Sequence, residues 1–247
     1  MKKYLLISLI ALLLIGAILG FVYLNKQVKD VFNGVHKNDP EIENLVTISQ
    51  AEISSFVFVT QESETDHRLN INLTPFLIFN IEEKEIEKFK IYNFKSKGEI
   101  GEGLLIHPTE LSTDTVSRTF LFTVTESIKQ EDIISNGDNI EYSIVSEVTK
   151  FNEVANTTII SPYFGIIIKD IGTVNYKEIL DRDDVFDGSK YLEYSGITLD
   201  KLNTEIQFDV YIEFSDSSKY TKRFKTTIEG EKLGEEISPM FILQTVN

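Results

Sequence analysis

No cysteine occurs among the 247 residues. Disulfides, thiolate nucleophiles, thiolate metal sites and a lipid-modified cysteine are thereby excluded. A domain of this size outside the cytoplasm manages without disulfides when its core is sufficient. Tryptophan is also missing, and histidine occurs only as His36, His67 and His107. None pairs with another histidine at the two- or four-residue spacing that builds a zinc site. No GxSxG, phosphate-binding loop, dinucleotide fingerprint or supported SxxK stands in the chain. Enzymatic chemistry gets no positive support.

Positive charge is scarce as well, with 24 Lys and Arg against 39 Asp and Glu, a net −15. Residues 1–30 hold four lysines and one aspartate, a local +3, which leaves −18 on the remainder. So acidic a body is repelled by nucleic acid, which excludes DNA and RNA as expected partners.

What is present begins with an apolar run, Tyr4–Leu24, uncharged between Lys3 and Lys26. At 1.5 Å per residue an uncharged helix of this length spans roughly 33 Å, enough for a ~30 Å hydrocarbon core. A transmembrane helix is therefore expected, kept as a signal-anchor. The run exceeds the core of a cleaved signal peptide, and Gly20 leads into Phe-Val-Tyr-Leu, a poor cleavage pattern. Lysines flank it almost equally, so the short N-terminal tail decides the orientation: N-terminus cytoplasmic, C-terminal domains extracytoplasmic. Gly16 and Gly20 form a GxxxG, readable as a helix-dimerisation contact or as glycine that is merely common in spans. The anchor is expected over 1–34, followed by a polar linker over 35–47 that carries Pro40.

After the linker the period is two. Ile53–Thr60, Leu69–Thr74, Glu87–Phe94 and Arg118–Glu126 alternate as strands do, and Phe76–Ile81 is a continuous apolar run. A short helix is expected at Ser127–Ile134. The clearest element is a hairpin of Glu205–Phe214 and Lys219–Ile228. It places Ile206, Phe208, Val210, Ile212 and Phe214 on one face.

Residues Glu52–Glu83 align without gaps on Asn139–Asp170, at an offset of 87. Thr74-Pro75-Phe76 meets Ser161-Pro162-Tyr163, and Phe120 falls near Phe208 after one insertion. The identities are few, and the hydroxyl-Pro-aromatic triplet is what favours duplication. The expected fold is thus mainly β. The N-terminal transmembrane helix is followed by two tandem, duplicated, immunoglobulin-like β-sandwich domains, 48–134 and 135–232, with an apolar tail over 233–247. The likeness to immunoglobulin domains is architectural and carries no function.

Asp181, Asp183, Asp184 and Asp187 crowd one short stretch. Such a turn can offer calcium several oxygens, yet Val185 and a late Gly188 miss the EF-hand pattern, and a solvated acidic loop reads equally well. Tyr220, Lys222, Arg223 and Lys225 form a basic strip, open to an acidic partner or to the lysine protection of an edge strand. Together these features suggest a non-enzymatic, membrane-anchored protein-interaction or structural subunit of the cell envelope, with homo-oligomers allowed. The alternative is an extracytoplasmic solute- or glycan-binding module, disfavoured by the missing tryptophan, with a hydrolase as the third reading.

Overall fold

Alternation dictates the elements. In a computed structural model that describes residues 38–61, 67–106, 133–135, 139–142, 150–154, 157–162, 164–175 and 187–246, the chain is mainly β and its strands form two facing sheets. In chain order these are β1 (Val46–Gln61), β2 (His67–Glu82), β3 (Ile86–Gly98), β4 (Glu102–Ile106), β5 (Ile133–Ser135), β6 (Ile140–Tyr142), β7 (Lys150–Val154), β8 (Thr157–Ile160) and β9 (Gly165–Thr173). Then follow β10 (Thr204–Phe214), β11 (Lys219–Ile228), β12 (Met240–Ile242) and β13 (Gln244–Val246). One sheet runs β12-β1-β2-β8-β7, with β9 on β2 and β4 on β9; the other runs β13-β11-β10-β3-β6-β5.

The expected hairpin is β10–β11, and Ile206, Phe208, Val210, Ile212 and Phe214 are all fully buried. Their face meets the inward residues of β2, such as Leu73, Leu77, Phe79 and Ile81. Phe224 joins the layers, stacked on Phe208 at 5.6 Å and edge-on to Phe79 at 6.1 Å. Phe164 closes on Phe208 at 5.3 Å. A shared core of this kind is that of a β-sandwich.

The expected division between residues 134 and 135 is not how the strands pair. β3 of the first half lies against β10 of the second, β1 against β12, and β2 against β8 and β9. Residues 38–247 form one unit. Sequence periodicity assigns each residue a face, but it does not choose the partner strand.

The aligned triplets nevertheless have a structural meaning. β2 pairs with β9 at Leu73↔Ile166 and with β8 at Phe79↔Ile160. Six residues forward in one strand match six back in the other, so the register continues through the interruption. The alignment equates Leu73 with Ile160 and Phe79 with Ile166; the pairing sets Leu73 against Ile166 and Phe79 against Ile160. The two segments are thus neighbours related by a local twofold about Phe76, inside one sheet. Pro75 lies where β2 has no ladder partner on that side, and Pro162 lies in the gap between β8 and β9. Proline belongs at such breaks because it has no N–H to give a ladder.

The expected linker also differs. Residues 40–45 form a helix, α1 (Pro40–Leu45), whose N-cap Asp39 accepts the Glu41 N–H at 3.0 Å. Pro40 supplies the φ that a first turn needs, and Ile42 is buried. Just before α1, the Asn38 side-chain amide imitates a strand. It donates to the Thr221 carbonyl at 2.9 Å and accepts the Thr221 N–H at 2.8 Å, closing the edge of β11.

The tail docks on its own sandwich. β12 pairs with β1, the Leu243 N–H donates to the Ala51 carbonyl at 2.9 Å, and β13 then pairs with β11 in the other sheet. Phe241 and Leu243 are buried, whereas Ile237, Met240, Ile242 and Val246 stay exposed. Farther along the edge of β1, helix α2 (Gly188–Ser195) takes over. A Cβ at Gly188 would stand 2.7 Å from the Val57 carbonyl oxygen, so only glycine allows this approach.

The expected membrane helix, with Gly16 and Gly20, lies outside the described residues, as does most of Ser127–Ile134, of which Ile133 and Ile134 belong to β5. Among the described residues, no helix is long and apolar enough to cross a membrane.

Candidate functional site

The outward face of the six-stranded sheet gathers the charged groups that alternation removes from the core. β10 presents Glu205, Gln207, Asp209, Tyr211 and Glu213. The register sets these against Lys97, Lys95, Tyr92, Lys90 and Lys88 of β3. On the other side, Asp209 faces Arg223, Gln207 faces Lys225 and Glu213 faces Lys219. An acidic strand therefore runs between two basic ones.

Its centre is a buried charge. Asp209 is 1% exposed, although it points away from the core. Arg223 grips it with both arms, Nε to Oδ1 at 2.7 Å and Nη2 to Oδ2 at 2.8 Å. Asn93 Nδ2 adds a third bond to Oδ2 at 2.9 Å. Two residues of β3, Asn93 and Phe94, stand where β10 has one, and the bulge turns Asn93 toward Asp209. Asn93 takes φ 52°, a left-handed conformation that asparagine tolerates better than most residues. A planar guanidinium on a carboxylate, with both oxygens satisfied, is the geometry in which a buried ion pair is tolerable.

Two tyrosines flank the pair, their rings edge-on at 6.5 Å. Burial pushes the Tyr92 phenol above its ordinary value, helped by the Asp209 charge. Burial likewise raises Tyr211, whose OH donates to Glu213 Oε2 at 2.8 Å. The hydrogen bond to Asp209 raises Arg223 further. Each shift moves its group away from neutrality, so the phenols stay protonated and the guanidinium stays charged. The centre is thus a polar surface whose guanidinium is charged and whose phenols are protonated.

Around it the balance is positive. Lys88 and Lys90 share the single carboxylate of Glu141 on β6, at 3.6 and 2.5 Å. Lys225 pairs with Glu205 at 3.2 Å. Lys95 and Lys97 are exposed and have no ion-pair partner among the described residues. Among the described residues, seven basic ones (Lys88, Lys90, Lys95, Lys97, Lys219, Arg223, Lys225) thus face four acidic ones (Glu141, Glu205, Asp209, Glu213), on a chain whose total is −15.

The sequence-level basic strip divides between two faces. Tyr220 is buried inward, and Lys222 reaches α1 to pair with Glu43 at 3.0 Å, while Arg223 and Lys225 point outward. Of the four aspartates considered for calcium, Asp187 caps α2, accepting the Ser189 N–H at 3.0 Å and the Ser189 hydroxyl at 2.6 Å. Asp181, Asp183 and Asp184 lie outside the described residues. No group of three or more potential metal ligands occurs among the described residues. Of the histidines, only His67 is described, buried at the start of β2, where its carbonyl accepts the Val174 N–H at 3.1 Å.

Sequence reasoning missed Asp209, Asn93 and Tyr92. Asp209 stands in the wet phase of a clean alternation, and its burial is created by a bulge in a strand more than a hundred residues away. The one local signal was an asparagine interrupting the apolar phase of Glu87–Phe94. No family model, curated protein or solved structure matches the chain.

Proposed function

We propose that this protein is a single-pass, membrane-anchored, extracytoplasmic β-sandwich. It acts without enzymatic activity, as a protein-interaction or structural subunit of the cell envelope. The anchor is the uncharged run Tyr4–Leu24, too apolar to leave in water. The observation that carries the interaction reading is the outward face of β3, β10 and β11. Its centre is a buried Asp209–Arg223 ion pair, its tyrosines are half-buried, and among the described residues its basic side chains outnumber its carboxylates. Such a face offers recognition without reactive groups.

Two measurements test this. The full-length protein should stay with membranes after alkaline extraction, and external protease should digest the sandwich in intact cells. Release by alkali would remove the anchor from the reading. Cross-linking in intact cells, followed by affinity capture, should then recover a defined partner stoichiometrically; a chain recovered alone argues against the interaction role.

A further inference from the structure

The basic excess on the six-stranded sheet is concentrated at one end. The Lys95–Gln207–Lys225 row crosses β3, β10 and β11, and Lys97 stands beside it, opposite Glu205. Three cations here face one carboxylate, and Gln244 of β13 adds a neutral polar neighbour next to Lys225. Tyr92 and the Asp209–Arg223 pair bound the cluster on its inner side, so the lysines rise from a floor that is already neutral and rigid.

We propose that this end of the sheet binds an extended acidic segment of a partner protein, an inference that rests on the interaction role given above. Lys95 and Lys97 are two apart on one strand, so both project on one side about 6.4–6.8 Å apart. An extended polypeptide laid along β3 presents every second side chain at the same repeat, and a run with carboxylates at alternate positions meets both cations in register. Lys225 lies two strand spacings away, about 9.6 Å, within reach of a third carboxylate on the peptide's far side. A second copy docking face to face would set one cationic surface against another, which the charge balance disfavours. The remaining carboxylates of this acidic chain repel such a segment elsewhere, and that confines it to this face.

The test uses the full-length protein in a nonionic detergent. The probe is a fluorescein-labelled peptide of alternating glutamate and threonine, followed by anisotropy. Binding should weaken steeply as salt rises, because the contacts are exposed charge pairs. Lys95→Glu combined with Lys97→Glu should lower affinity by about tenfold or more. Lys201→Glu, a reversal on the 3-10 turn Leu199–Leu202, should leave it unchanged. Circular dichroism of each variant checks the fold, and Lys95→Gln with Lys97→Gln should give an intermediate loss.

Equal affinity in wild type and the double reversal overturns the assignment. So does binding of phosphatidylglycerol vesicles or polyphosphate to this face without binding of the peptide, which would make a phosphate surface the ligand. The broader reading fails separately, when cross-linking recovers no partner for the wild-type chain. A partner captured equally by the double reversal keeps the interaction role and removes this site.

Discussion

The two sheets share a core and differ in what they turn outward. The six-stranded sheet presents rows of opposite charge around a buried Asp209–Arg223 pair. The other sheet presents amides, hydroxyls and apolar groups, with charge at Glu52 and in a loose Arg68–Asp170 pair at 4.0 Å. Asn72 Nδ2 donates to Thr74 Oγ1 at 3.2 Å and Asn70 Nδ2 to Thr60 Oγ1 at 2.9 Å, while Ile242 and Phe76 flank Glu52 in one row and stay exposed. Inward phases are similar in kind, with Ile, Val and Phe in both and Leu only in the strands of the seven-stranded sheet. Identity therefore resides in the polar half of each alternation, which hydrophobic periodicity treats as blank.

Removing residues 237–247 strikes both sheets together, because β12 and β13 each end one of them. Loss of the buried Phe241 and Leu243 should cost about 3–6 kcal/mol, read as a fall in the urea midpoint. A deletion that leaves the midpoint unchanged would show that neither edge depends on the tail.

The charged face should be the more brittle. Asp209→Ala leaves a half-buried guanidinium and Asn93 unsatisfied, and should destabilise by about 3 kcal/mol or somewhat more. Asp209→Leu with Arg223→Leu should cost less than the single change, because no orphan charge remains. Asn72→Ala on the opposite face removes only a neutral bond and should cost about 1 kcal/mol. Equal losses at Asp209 and Asn72 would erase the distinction between the faces.

A pH series sharpens the contrast further. Burial pushes the Glu141 carboxyl upward, but the hydrogen bond and charge of Lys90, then Lys88, outweigh it and leave the group below its ordinary 4.5. A lowered folded pKa contributes stability that is present above the unfolded value and lost as pH falls through the folded one. Glu141→Gln should therefore flatten the fall in stability below about pH 4.5. An unaltered acid slope would mean that the two lysines do not hold this carboxylate. The smallest effect belongs to the apolar face, where Ile242→Ser changes a side chain that is 71% exposed. Its unfolding midpoint should stay within about 0.5 kcal/mol of wild type.

How much could be read from residues alone follows from the same contrast. The hairpin was legible to within a residue, Glu205–Phe214 and Lys219–Ile228 against Thr204–Phe214 and Lys219–Ile228, because local alternation and a Ser-Asp-Ser-Ser turn determine it. The separation into two domains was misread, because β3 finds β10 across more than a hundred residues and no local pattern encodes that choice. The triplet match was real as a pattern. It marks a local twofold between β2 and the β8–β9 strand where two successive domains were expected. Asp39-Pro40 was a helix start hidden in a stretch read as linker. Asp209 was invisible because its burial is a tertiary event at a bulge, and the face it anchors could be seen only once three strands were laid side by side.

The crossing of the last strands from one sheet to the other also sets a schedule. Glu52 pairs with Ile242, 190 residues later, so this stretch of the edge of β1 stays open until Met240–Ile242 have been made. Pairings this distant in sequence slow folding, because loop closure must precede any gain from contact. A chain emerging from a ribosome or a translocation channel would carry the Glu52–Ser54 edge of β1 unpaired throughout that interval, with β2 already on the strand's other side, and would stay open to foreign pairing there until β12 arrives. Stalling synthesis ahead of Phe241 should therefore produce a species that holdase chaperones retain. Extension through residues 241–247 should free it.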